Sequence, residues 1–189
     1  FLGGVVVYSG KFTVSSGIIE LLQAVKISHG DWRLFVIGPI NKKSNRHINI
    51  NDLILEMGLE NKVNYLGYLD KSLYHSLLSV ADVLVVPKSP DEINSNNFPG
   101  KLVEFLETGK PIVAANIGDI SSYLDNGSDI ILYDVHRIED LEYGISTLIN
   151  NKSMAYSIGK SGKTKAALIF DNEYHMDLFY KYLVCRSVI

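Results

Sequence analysis

A proline, a glycine, a lysine and a glutamate follow closely at Pro99, Gly100, Lys101 and Glu104. Pro99 suits the first turn of a helix, where its missing amide costs nothing. Gly100 has no side chain, so a bound group can approach the backbone closely. The first turn also presents unpaired amides at the positive end of the helix dipole, a natural seat for phosphate. Asn97, Gly100, Lys101 and Glu104 share one helical face by the i, i+3, i+4 rule. A diphosphate at the helix start then carries its ribose about one turn further, beside Glu104, whose carboxylate can accept hydrogen bonds from both ribose hydroxyls. On the same spacing, Lys101 and Glu104 also read as an ordinary surface ion pair, with Leu102, Phe105 and Leu106 turned to the core.

The elements that must hold this helix alternate between short apolar runs and amphipathic stretches. Strands are expected at residues 5–8, 34–37, 63–66, 83–86, 112–114 and 130–132, most ended by Gly, Pro or Ser. Between them, Ser16 is expected to cap a helix with Ile18, Leu21, Leu22 and Val25 on its apolar face. Further helices are expected at 51–57, 71–80 and 99–109, and from 138 onward the pattern is nearly all helical. A terminal helix at 172–189 carries the stripe Tyr174, Leu178, Phe179 and Tyr182. Buried strands alternating with helices predict an α/β fold: a doubly wound, Rossmann-like parallel sheet of about six strands, helices on both faces, spanning 1–189 as a single domain. Ligands of such sheets bind beyond the carboxyl ends of the strands, which selects the loops at 9–11, 38–41, 67–70 and 87–98.

Composition narrows the classes of function. The 189 residues carry a net charge of −3, with no basic excess of the kind a nucleic-acid surface needs. Lys42, Lys43 and Arg46 are the nearest thing to a basic cluster and read as a solvated loop. Cys185 is the single cysteine, so no internal disulfide forms; the reducing cytoplasm is compatible. No apolar run reaches the ~20 residues that span a bilayer. The chain opens Phe-Leu-Gly-Gly without Met or a signal-peptide pattern, and reads as a piece of something longer. The five histidines show no metal-ligand spacing, so no metal is expected.

The run from Pro99 resembles the donor-binding helix of the GT-B glycosyltransferases, especially the retaining family known as group 1 or family 4. Glu104, Phe105-Leu106, Gly109, Pro111 and Ile112-Val113-Ala114-Ala115 follow its signature, and Pro99-Gly100-Lys101-Leu102 is a variant of its opening. The neighbouring pieces come in the same order: Ser9-Gly10-Lys11, Val36-Ile37-Gly38, Tyr65-Leu66-Gly67 and Ala81-Asp82 through Pro87. The resemblance implies the C-terminal half of a two-domain enzyme that transfers a sugar from a nucleotide-diphosphate sugar to an acceptor hydroxyl, building glycans, polysaccharide or glycolipids. It also implies no cofactor beyond that substrate. Glu104 would bind the ribose, and Lys11 with the amides of Gly100 and Lys101 would hold the diphosphate, which gains charge as the glycosidic bond breaks. Ser9, Gly10, Gly38 and Pro99 complete the expected donor contacts. The acceptor and most catalytic groups would come from a missing N-terminal domain. The location implied is cytoplasmic, with any peripheral membrane contact made through that domain.

Two positions depart from the family pattern. Asn96 stands eight positions before Glu104, where many members have an acidic residue near the donor sugar; Asp91 and Glu92 lie off that spacing. Asn96 and Asn97 can still hydrogen-bond sugar hydroxyls. Ser16-Gly17 stands where Lys-Gly is common, so Ser16 either replaces a phosphate contact or acts only as a cap. Two alternatives stand beside this reading: a GT-B-like sugar-nucleotide epimerase, which shares the fold but needs acid/base groups this sequence does not show, and a degenerate, non-catalytic nucleotide-binding scaffold, which the Asn96 departure allows. The run from Gly159 to Thr164 looks like the end of a P-loop, but Ser157 replaces its first glycine and helical rather than strand pattern precedes it.

Overall fold

The computed structural model describes residues 3–39, 48–90 and 98–170. The apolar runs form β1 (Gly4–Ser9), β2 (Trp32–Ile37), β3 (Val63–Gly67), β4 (Val83–Val86), β5 (Ile112–Ala115) and β6 (Ile131–Tyr133). Every pairing is parallel, in the order β3-β2-β1-β4-β5-β6, so the doubly wound α/β expectation is met. β4 and β5 are buried at every position, which is why they read as unbroken apolar runs rather than alternating ones. The chain winds outward from β1 to β3 and returns to place β4 against the other side of β1. At that reversal the crossovers leave to opposite sides, and a crevice opens at the carboxyl ends of β1 and β4.

The helices are α1 (Ile18–Ile27), α2 (Ile50–Met57), α3 (Lys71–Val80), α4 (Gly100–Glu107), α5 (Ile120–Tyr123), α6 (Ile138–Asn150) and α7 (Lys152–Ile169). Their starts follow local chemistry: the Asp70 carboxylate accepts from the Leu73 amide at 2.9 Å to open α3, and Asn151 caps α7 in the same way. Ile18, Leu21, Leu22 and Val25 of α1 are buried as expected, as are Leu102, Phe105 and Leu106 of α4. Burying each such side chain stabilises the fold by about 1.5–3 kcal/mol, which fixes α4 by its inner face and frees its outer face for a ligand.

Two local expectations are corrected, and one short helix is added. Ser16 does not cap α1; it ends a 3-10 turn (Val14–Ser16), and its Oγ donates to the Thr13 carbonyl at 2.6 Å. Gly17 holds the cap position with φ of 73°, and a Cβ there would lie 2.3 Å from the Lys88 backbone nitrogen. The start of α1 is pressed against the chain leaving β4, a close approach that only glycine allows. Pro99 stands one position before α4, at its cap, rather than inside its first turn. The single turn of α5 is too short to show in the periodicity.

The run from Gly159 to Thr164 lies in the middle of α7, and no strand precedes it. Its glycines serve packing: a Cβ on Gly159 would meet the Gly109 carbonyl oxygen at 2.2 Å, and one on Gly162 the Asp129 carbonyl oxygen at 2.4 Å. The Lys42, Lys43 and Arg46 cluster, Asp91, Glu92, Asn96, Asn97, the 172–189 helix and Cys185 lie outside the described residues.

Candidate functional site

A cleft of about 780 Å³ opens over the crevice between β1 and β4. That volume is in the range of small-molecule sites. Ser9, Gly10, Lys11, Ser16, Gly38, Pro99, Gly100, Lys101 and Glu104 all line it, so every candidate residue within the described chain comes to one place.

The floor is built by close backbone packing. The Gly10 amide donates to the Ile37 carbonyl at 3.0 Å, and a Cβ on Gly38 would lie 2.0 Å from the Gly10 carbonyl oxygen. The loops after β1 and β2 therefore run against each other with no room for a side chain. Beneath them Phe12 packs against Tyr8 and Tyr65, with ring centroids 6.4 and 5.6 Å away. The Tyr65 hydroxyl donates to the Gly38 carbonyl and the Tyr8 hydroxyl to the Lys11 carbonyl, both at 2.8 Å. Burial pushes the Tyr8 phenol up to about 12, against a smaller lowering by the Ser16 hydrogen bond, so it stays a neutral donor at physiological pH. The loop carrying the exposed Lys11 side chain is thus held at its backbone.

The opposite wall is the outer face of α4. Lys101 Nζ lies 2.7 Å from Glu104 Oε2 and 3.1 Å from the Tyr74 hydroxyl of α3. It also sits 4.8 Å from the centre of the Tyr74 ring. Partial burial pushes the Glu104 carboxyl up, but the hydrogen bond from Lys101, the nearby Tyr74 phenol and the charges of Lys101 and His75 outweigh it, and the group is held below the usual carboxylate range. Burial likewise pushes Lys101 down and is outweighed by Glu104 and Tyr74, so its ammonium is held above its usual range. Both groups are charged at neutral pH. With side chains 41% and 36% exposed, such a pair adds only about 0.2–1 kcal/mol to stability. The ion pair read from the spacing is formed, and Glu104 nonetheless faces the cleft.

Gly100 is exposed, and a Cβ there would meet no atom of the described residues within 4 Å. Phe98 seats that turn, packing against Tyr123 and Phe170 with centroids 5.9 and 5.6 Å away. On a chain of net charge −3, the described lining gathers Lys11, Lys71, Lys88 and Lys101 with His75 around one carboxylate, Glu104. Such a lining attracts anions, and its carboxylate can accept hydrogen bonds from hydroxyls.

Lys71, Tyr74, His75 and Lys88 were not among the residues singled out from the sequence. The signal was present: the carboxyl-end rule selects the loop after β3, and positions i, i+3 and i+4 of the helix leaving it are Lys71, Tyr74 and His75.

Residues 3–165 match the family model for glycosyl transferases group 1. The chain belongs to that family. It is 25% identical over 156 residues to an uncharacterized glycosyltransferase of Methanocaldococcus jannaschii, covering 82% of this chain and 41% of that one. It is 25% identical over 169 residues to the D-inositol 3-phosphate glycosyltransferase of Corynebacterium kroppenstedtii, covering 86% of this chain and 36% of that one. The fold is shared with Anabaena HepE, crystallised in complex with UDP, at a TM-score of 0.84 and 21% identity over 97% of this chain and 49% of that one. The chain therefore spans less than half the length of these family relatives and of that structure. Among the described residues, no helix is long and apolar enough to cross a membrane.

Proposed function

We propose that this chain is the donor-binding part of a glycosyltransferase that moves a sugar from a nucleotide-diphosphate sugar to an acceptor hydroxyl, in the synthesis of glycans, polysaccharide or glycolipids. The observation that carries the reading is the lysine-rich cleft with its one described carboxylate a turn above a helix start. The amides of Gly100 and Lys101 and the Lys11 ammonium bind the diphosphate, and Glu104 accepts the ribose hydroxyls. Ser9, Gly10, Gly38 and Pro99 shape the cleft around them, with Ser16, whose hydroxyl donates to the Thr13 carbonyl, at its rim.

As the glycosidic bond breaks, the diphosphate gains negative charge. Fixed cations and amides aimed at it lower the barrier, with the counter-charge coming from lysine side chains rather than a metal. UDP is the first nucleotide to test, since the structurally similar Anabaena protein is crystallised with it. The acceptor and most catalytic groups come from the part of the protein that precedes this chain. The enzyme works in the cytoplasm, with any membrane contact made through that other part.

Calorimetric titration of the 189-residue chain with UDP and GDP tests the reading. Weak binding of at least one, with no sugar transfer by the chain alone, is expected. No heat of binding for either at millimolar concentration overturns it.

A further inference from the structure

Tyr74 is only 9% exposed, yet its hydroxyl reaches the cleft. Burial alone does not account for a tyrosine here, because phenylalanine or leucine would fill the same core space. What the hydroxyl adds is a specific contact. It accepts a hydrogen bond from Lys101 Nζ at 3.1 Å, while the same ammonium holds Glu104 Oε2 at 2.7 Å. Ser9, at the end of β1, lines the same cleft. The phenol therefore ties α3 to α4, two of the elements that wall the cleft.

A lysine–glutamate pair on a helix surface is normally loose, because both side chains keep many rotamers. Here the lysine is pinned from the far side by a group on a different helix. Pinning the ammonium confines the carboxylate paired with it. We infer that Tyr74 is a positioning residue for the donor: through Lys101 it holds Glu104 where a ribose diol can reach it, and so sets the preference for ribose over 2′-deoxyribose. This inference rests on the donor-binding reading.

Titration of the wild-type chain, Tyr74→Phe and Lys101→Met with UDP, 2′-deoxy-UDP and pyrophosphate separates the possibilities. The wild type should bind UDP more tightly than 2′-deoxy-UDP. Tyr74→Phe should weaken UDP about three- to tenfold, the worth of one hydrogen bond, and remove most of that preference. Its pyrophosphate affinity should stay within about twofold. Lys101→Met should remove the same preference, so the question is still answered if Tyr74→Phe does not fold. A preference that survives in either folded variant overturns the inference while leaving the donor reading intact. So does an equal loss for UDP and 2′-deoxy-UDP, which marks a structural role. A wild type that binds UDP with no preference for ribose removes Glu104 as the ribose acceptor, and the role of Tyr74 with it.

Discussion

Replacing Glu104 by alanine should weaken a nucleoside diphosphate about fiftyfold without harming the fold. A hydrogen bond to a charged acceptor contributes about 1.5–3 kcal/mol. Glu104 is one-third exposed and already engaged by Lys101, so the low end applies to each of two ribose hydroxyls. Together they amount to about 3 kcal/mol, about a hundredfold in affinity. An opposing effect must be set against this. Without its partner the Lys101 ammonium is free to act on the diphosphate, and at ~8 Å in a water-like medium that attraction is about 0.5 kcal/mol, or about twofold. Loss of the hydroxyl contacts wins. Glu104→Gln keeps an acceptor oxygen but loses the charge, which roughly halves the bond strength, so about a tenfold loss is expected. Removing the exposed ion pair costs about 1 kcal/mol or less, so the melting temperature should move by less than about 4 °C. Calorimetry with UDP, using pyrophosphate as the control ligand, reads all of this. UDP affinity within twofold of wild type for Glu104→Ala, or an equal loss for pyrophosphate, refutes the ribose role.

Lys11→Ala should weaken UDP about three- to tenfold and leave uridine, which has no phosphate, unchanged; equal losses for both ligands contradict a diphosphate contact. Gly17→Ala should destabilise by about 1–3 kcal/mol, because its Cβ would lie 2.3 Å from the Lys88 nitrogen at a φ of 73°; an unchanged melting curve contradicts the proposed contact between α1 and the β4 loop. The pH dependence has a definite sign. Glu104 is held below its ordinary value of 4.5, so its stabilising contribution is present above that value and is lost as pH falls through the lower folded value. Lys101 is held above 10.5, so its contribution is present below that value and is lost as pH rises through the higher folded one. In a His75→Gln background, which removes the one imidazole among the described lining residues, UDP-glucose, whose phosphates carry constant charge, should bind equally at pH 6 and pH 8.5, and a titrating group between those limits contradicts the charge states assigned to this pair.

Most of the framework was legible because it depends on local pattern. β4 and β5 declare themselves as four-residue apolar runs, and α3 is expected over the 71–80 that it occupies. What escaped depends on contacts distant in sequence. Ser16 is a better helix cap than Gly17 by intrinsic preference, but the approach of Lys88 reverses the choice. Tyr74 reads as a core residue from periodicity, and only the packing of α3 beside α4 shows its hydroxyl meeting Lys101. The two readings of Lys101 and Glu104, surface pair or ligand site, proved compatible: the pair is formed and it lines the cleft.

Backbone amide chemical shifts of the isotopically labelled chain, followed while UDP is added, test the central claim most directly. Shifts concentrated at Gly10, Lys11, Gly38 and the stretch from Gly100 to Glu104 are expected, with Gly159 to Thr164 silent. Shifts centred on the α7 glycines, or none at millimolar UDP, would contradict a donor site at the junction of β1 and β4.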